Sequence, residues 1–470
     1  MQLSKTNFLH YLDCSKSLWL LKHKPSLFPP KKISTYEDKL AKEGYDVQKL
    51  VQNYMSQRTD SFSYTYEKTY KTEAGLYASA DIIRQNDDGT VNIYEVKSSG
   101  GIDKTHLVDA TFQTITVEKT GVSVRSVYIV HLNKNYIRED AIQVEEMMSF
   151  SLVTNQVRDM TREINVHIDA AFSLLSQNRI DETKCSCLEL SKSHHCESFD
   201  YFNCNIPKPS IYNLPRIHKK KLKTFVSEGR FNLAEIDETE VSANQLNVLV
   251  AAKLGTPVIN RCIIREFYNQ VQYPVYFLDY ETYSSAIPFV KGVKPHAHIP
   301  FQFSIHKIAT KYSANSQHFE YLATRAELPI NMISSMENII GSTGSIVSWH
   351  KSFENTRNKE MSALYPNKAT FLNTISERTI DLEDIFKGGY VDIAFGGSTS
   401  IKKVLPIIVP KLNYDDLEVA NGTDAMEAFN RMLTIPEGVN KEKLRREMLE
   451  YCKLDTLAMV KIFKKMAQYI

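Results

Sequence analysis

No apolar run in this 470-residue chain approaches the roughly 18–20 residues of a membrane-crossing helix. The N-terminus also lacks a charged leader followed by an apolar stretch, so we expect a soluble, cytoplasmic protein. An excess of charge is missing too. Against 57 Lys and Arg stand 55 Asp and Glu, net +2, so contact with a polyanion must come from local patches. Gly396-Gly397-Ser398 lacks the spacing of a phosphate-cradling loop, which excludes that kind of nucleotide site. Seven cysteines are too few for a disulfide scaffold, yet Cys185, Cys187, Cys196 and Cys204 fall within twenty residues. Thiols clustered in a reducing compartment suggest a metal more than disulfides. The rest is 43% hydrophobic and 24% charged, ordinary for a globular chain, with length for two or three domains.

Two runs rich in β-branched and apolar residues, Ala80-Asp81-Ile82-Ile83 and Val91-Asn92-Ile93-Tyr94-Glu95-Val96-Lys97, flank the turn signal Asp87-Asp88-Gly89. This predicts a hairpin with Asp81 opposite Glu95. Side chains alternate along a strand, so Val91, Ile93, Glu95 and Lys97 share one face. Two carboxylates and an ammonium on an apolar face need a metal, mutual pairing or open water. Asp and Glu supply the hard oxygens that magnesium prefers, and a lysine can steady charge developing on a phosphate. A surface hairpin with a cross-strand ion pair is the alternative.

Around this hairpin the apolar spacing predicts helices over residues 1–30 and 35–58. In the second, Leu40, Tyr45, Val47, Leu50, Val51 and Tyr54 form the expected buried stripe. Glu43 is read there as a solvated glutamate or an extra metal ligand. Residues 105–120 read as a helix, 127–132 as a buried strand and 139–180 as largely helical. Prolines 207, 209 and 215 then break the chain. The lysine-rich run from His218 to Lys223 opens a helix that is a solvated face or a grip on a phosphate backbone.

In the second half, Val275-Tyr276-Phe277-Leu278-Asp279-Tyr280-Glu281 puts Asp279 and Glu281 on the same side of one strand. Carboxylates so placed can share two divalent ions about 3.5–4 Å apart, an arrangement used in phosphoryl displacement. Ile346-Val347-Ser348 leads through a turn to Glu354, and Tyr451-Cys452-Lys453-Leu454-Asp455 lies in a long helical pattern. There Tyr451 and Asp455 share an otherwise apolar face one turn apart. Ser400-Ile401-Lys402-Lys403 reads as the start of a helix, a capped surface helix or one whose Ser400 cap and lysines face substrate.

Asp81, Glu95-Val96-Lys97 and the later Gln113 resemble the PD-(D/E)XK nuclease signature of the RecB-like branch. Asp279-Tyr280-Glu281, Glu354 and Tyr451-x-x-x-Asp455 resemble the three motifs of DEDD-type 3′–5′ exonucleases, with Glu354 where that family has aspartate. Together they resemble an uncharacterised bacterial family joining both domains in one chain. The resemblance implies an α/β chain. A restriction-endonuclease-like nuclease domain would span 1–206, a helical connector 207–265, and an RNase H-like mixed sheet flanked by helices 266–470. It implies Mg2+ or Mn2+ at Asp81 and Glu95, with Lys97 and Gln113 assisting. A second pair of ions would lie at Asp279, Glu281, Glu354 and Asp455, with Tyr451 orienting water. The cysteines are similar to those of CRISPR-associated exonucleases, which implies a [4Fe–4S] cluster, or zinc, on Cys14, Cys196, Cys204 and either Cys185 or Cys187; free thiols in an irregular loop are the alternative. The expected activity is phosphodiester hydrolysis at single-stranded DNA ends. An RNA 3′–5′ exonuclease with a non-catalytic first domain is one alternative. A nucleic-acid-binding or assembly protein with inactive centres is the other.

Overall fold

The computed structural model describes residues 2–30, 34–58, 62–415 and 417–470. The chain divides into two units, Met1–Asn205 with Ser285–Ala297, and Ile206–Ser284 with His298–Ile470. Both are mixed α/β. The connector expected at 207–265 is not a separate piece. Its Ile211, Leu222, Phe225, Leu233 and Leu249 bury together with Val391 of the second unit, so it belongs to that unit's core.

In the first unit Leu3–Ser4 is a short strand (β1), and the Ser4 hydroxyl accepts the Asn7 N–H at 3.2 Å to start α1 (Lys5–Asp13). Cys14 has an extended backbone that separates α1 from α2 (Ser15–His23). A capping box between Ser34 and Glu37 starts α3 (Thr35–Ser56). Strands β2 (Tyr64–Lys71), β3 (Leu76–Gln85) and β4 (Val91–Val96) come next, followed by α4 (Lys104–Glu118) and β5 (Val124–Leu132). Helix α5 (Val144–Met147), strand β6 (Met148–Leu152), α6 (Thr154–Ser176) and α7 (Phe199–Phe202) complete the unit. The sheet order is β1-β3-β4-β5-β6, with β2 also on β3. Strand β4 runs antiparallel to β3 and parallel to β5, and all its residues are buried.

The stripe expected on α3 is narrower than its spacing implies. Val47, Val51 and Met55 are buried, whereas Leu40 and Tyr45 are 40% and 55% exposed. Lys39 and Glu43 take the inward places of the first turns as a buried ion pair at 2.7 Å. Glu43 is thus buried rather than solvated, and it accepts the Ala286 N–H at 3.3 Å.

The second unit opens with α8 (Lys219–Ser227), α9 (Ala243–Leu254), β7 (Val258–Ile259) and α10 (Arg261–Asn269). Its main strands are β8 (Val275–Tyr283), β9 (Ile299–Ile308) and β10 (Gln317–Leu322). Then come α11 (Ile330–Glu337), β11 (Ser345–Ser348), α12 (Ser352–Leu364), α13 (Ala369–Glu377), β12 (Thr379–Asp381) and β13 (Tyr390–Val391). Helices α14 (Ile401–Ile408), α15 (Gly422–Thr434) and α16 (Val439–Met466) close the chain. The order β10-β9-β8-β11-β12 is mixed: β8, β9 and β10 are antiparallel, while β11 and β12 run parallel to β8. Helix α16 buries Met448, Tyr451, Asp455, Met459 and Ile462, the face its spacing predicts, and Cys452 beside them. Among the described residues, no helix is long and apolar enough to cross a membrane.

Candidate active sites

The β3–β4 register pairs Ile82 with Tyr94 and Ile83 with Ile93, which brings Asp81 opposite Glu95 as expected. Asp81 Oδ2 accepts the Val96 N–H at 2.8 Å. Glu95 is 1% exposed, and its Oε1 receives Lys97 at 2.8 Å and Lys5 at 3.0 Å. The Gln113 amide donates to Glu95 Oε2. Asp109, one turn before Gln113 on α4, pairs with Lys97 and, at 3.3 Å, with Lys5.

Fully ionised, three carboxylates face two ammonium groups, one negative charge in excess. Burial opposes the Glu95 charge, but Lys97 and Lys5 outweigh it and hold that carboxyl well below the usual range. Burial, then repulsion from Glu95, pushes Asp81 up to about 8 and Asp109 up to about 6. Lys97 is buried, which alone lowers an ammonium, yet Glu95 and Asp109 raise it above its ordinary value. Gln113 Oε1 is buried without a hydrogen-bond partner. Hard oxygens, a missing positive charge and an orphaned amide oxygen suit a divalent cation. Lys5 and Asp109 carried no motif signal in the sequence.

In the second unit Asp279 and Glu281 project from β8 and meet Cys452 of α16, their ligand atoms all within 4.8 Å of one another. The Cys452 thiol lies 3.5 Å from Asp279 Oδ2. Asp455 and Glu354 stand outside this tight group but within Coulombic reach of it. Asp455 Oδ1 accepts the Tyr414 hydroxyl at 2.5 Å, and Tyr451 also bonds it. Glu354, from α12, is 2% exposed, and its Oε2 has no hydrogen-bond partner.

Burial, then repulsion from Asp455, raises Asp279 and Glu281 well above ordinary carboxylates. Burial lifts Glu354 to about 8 and Asp455 to about 6, the latter against Tyr414 and Lys402. Lys402 of α14 is the cation in that field. Its Nζ donates to Ala420 O at 2.6 Å and lies 5.5 Å over the Tyr414 and Tyr451 rings. Burial lowers its pKa in spite of Asp455 and Glu281. Lys402 therefore does not sit on the surface helix expected from Ser400, and Ser400 makes no side-chain cap bond. The three-residue spacing from Lys402 to buried Leu405 was the available signal; Tyr414 and Cys452 had none. Gly422, at the start of α15, lies beside the site: a Cβ there would stand 3.4 Å from Glu281 Oε2, an ordinary contact. Four crowded carboxylates, an unpartnered Glu354 oxygen and one lysine suit divalent cations here as well.

Cys14, Cys185, Cys187 and Cys196 form a third group, sulfurs within 4.8 Å, that could hold a metal ion. The expected set needs correction: both Cys185 and Cys187 belong, and Cys204 does not. The one-turn helix after Cys185 folds Cys187 back beside it. Helix α7 then buries Phe199 and Phe202 and leaves Cys204 exposed. Asn203 donates to Cys185 Sγ at 3.3 Å, and hydrogen bonding from Cys14 holds Cys187 down to about 7.

A model of a domain of unknown function, DUF2779, matches residues 276–400. The match takes in Asp279, Glu281 and Glu354 and stops before Lys402, Tyr451 and Asp455. No curated protein matches the chain.

Proposed function

We propose that the chain is a metal-dependent nuclease with two centres, hydrolysing phosphodiester bonds at nucleic-acid ends, single-stranded DNA before RNA. The observation that carries this reading is the convergence of Asp279 and Glu281 from β8, Glu354 from α12 and Asp455 from α16 into one buried field. The mixed sheet flanked by helices supports an RNase H-like second unit. The β3–β4 hairpin followed by α4 and the parallel β5 supports a PD-(D/E)XK-like first unit.

Asp81 and Glu95 would hold a cation in the first centre. In the second, Asp279, Glu281, Glu354 and Asp455 would do so. Magnesium or manganese, when bound, would supply an activated water and positive charge on the phosphate. The chain's own groups orient and neutralise. Lys97 meets charge developing on the non-bridging oxygens, and the Gln113 amide fixes Glu95. Tyr451 offers its hydroxyl to the attacking water while Lys402 holds its ring in place. The four grouped thiols would hold a [4Fe–4S] cluster, with zinc as the other candidate, and free thiols of this kind suit a reducing, cytoplasmic compartment. Visible absorption together with metal analysis separates the two.

The test is cleavage of end-labelled single- and double-stranded DNA and RNA with magnesium. We expect cutting that chelation abolishes, with Lys97→Ala and Asp279→Ala each removing part of it. Full cutting by both variants would overturn the two-centre reading. One observation favours a second reading: Glu95 is already saturated by two ammoniums and an amide. On that reading the first unit only grips nucleic acid, and Asp279→Ala alone abolishes cutting.

A further inference from the structure

Helix α1 joins two features that the reading above treats separately. Lys5 is its first residue and Cys14 its C-cap. At about 1.5 Å per residue, this nine-residue helix makes a strut of about 13 Å. At one end Lys5 Nζ lies 3.0 Å from Glu95 and 3.3 Å from Asp109. At the other, Cys14 is fully buried among Cys185, Cys187 and Cys196. Midway, Phe8 is fully buried with its ring 4.9 Å from Phe112. Phe112 is on α4, the helix that carries Asp109 and Gln113. The N-terminal end is anchored by the two-residue strand β1, paired with β3 at Leu76 and Tyr77, and by its fully buried Leu3.

Lys5 changes what Lys97 can do. Alone against Asp81, Glu95 and Asp109, Lys97 would stay locked between Glu95 and Asp109. With Lys5 on the same Glu95 oxygen and on Asp109, those carboxylates keep a counter-charge when Lys97 turns toward a substrate phosphate. We propose that Lys5 is a positioning residue of the first centre, and that metal held by the four thiols keeps it in place through α1. This rests on the reading of the thiols as a metal site and of the Asp81–Glu95 pair as a nuclease centre. Its physical content is a rigid helix held at both ends, in which loss of the hold at Cys14 loosens the packing at Lys5.

The test reads Lys5 directly. The full-length chain, loaded with zinc alone, is acylated briefly at its amines, and Lys5 labelling is measured by mass spectrometry. Lys5 should be protected when zinc is bound. Its labelling should rise about tenfold after chelation or in Cys14→Ser, and stay unchanged in Cys204→Ser. If Cys14→Ser does not fold, Cys187→Ser and the chelated wild type give the same comparison. Protection that persists after zinc has left overturns the proposal, as does a chain that takes up neither zinc nor an iron–sulfur cluster. A second measurement separates positioning from bulk stability. Lys5→Gln should lower first-centre cleavage with Asp279-dependent cleavage unchanged, and Lys5→Arg should restore it. Loss of both activities in Lys5→Gln, or no rescue by arginine, counts against the assignment. If wild type cuts nothing while labelling still follows zinc, the nuclease reading fails and the strut stands.

Discussion

Asp81 carries a charge problem that pH and metal solve differently. Its folded carboxyl sits near 8, above the roughly 3.9 of an unfolded aspartate. Its contribution to stability is therefore fully present below about pH 4 and lost as pH rises through about 8. Metal-free protein should grow less stable to urea between pH 5 and pH 8, and magnesium should reverse the loss. Asp81→Asn should flatten that slope and stabilise the metal-free chain at pH 8 by about 2 kcal/mol. An unchanged slope would mean that Asp81 is not the group responsible. Lys402→Met should have the opposite sign at the second centre. Without its ammonium the metal-free chain should lose about 1–2 kcal/mol at pH 8, with Lys402→Arg close to wild type in the same urea titration. Residues whose partners are fixed by local spacing were legible in the sequence, such as Asp81 with Glu95, Asp279 with Glu281 and Tyr451 with Asp455. Lys5, Asp109 and Tyr414 were not, because only the folded chain brings their partners near. Cys204 was misread because α7, buried through Phe199 and Phe202, turns the chain outward after Cys196.

At the level of elements, the hairpin, the buried strand β5 and the long helix α16 follow directly from period-two and 3.6-residue patterns. Helix α3 departs from its pattern because a buried Lys39–Glu43 pair takes positions that hydropathy assigns to leucine and tyrosine. Strand β11 depends on something no periodicity reveals. Gly344, just before it, has φ +92°, and a Cβ there would lie 2.0 Å from Pro274 O. Gly344→Ala should cost about 3 kcal/mol, from strain together with that clash. The urea midpoint measures it, and a loss below about 0.5 kcal/mol, typical of a neutral surface change, would contradict this account. Since β11 leads into the helix bearing Glu354, second-centre cleavage should fall as well.

For the whole molecule, the break near residue 206 was visible in the prolines that follow it. The fate of the next sixty residues was not, since their apolar groups close on Val391, far along the chain. Nor does composition reveal that Ser285–Ala297, between β8 and β9 in sequence, belongs to the first unit. A net charge of +2 conceals two buried carboxylate clusters, because the charge is local rather than global. The central claim is that distant carboxylates gather into pockets that capture divalent cations. Titration of the full-length chain with manganese, followed by the loss of the free-ion electron paramagnetic resonance signal, tests it most directly. Saturable binding is predicted, one part removed by Asp279→Asn and another by Asp81→Asn. No saturable binding in wild type, or binding that neither substitution diminishes, would contradict it.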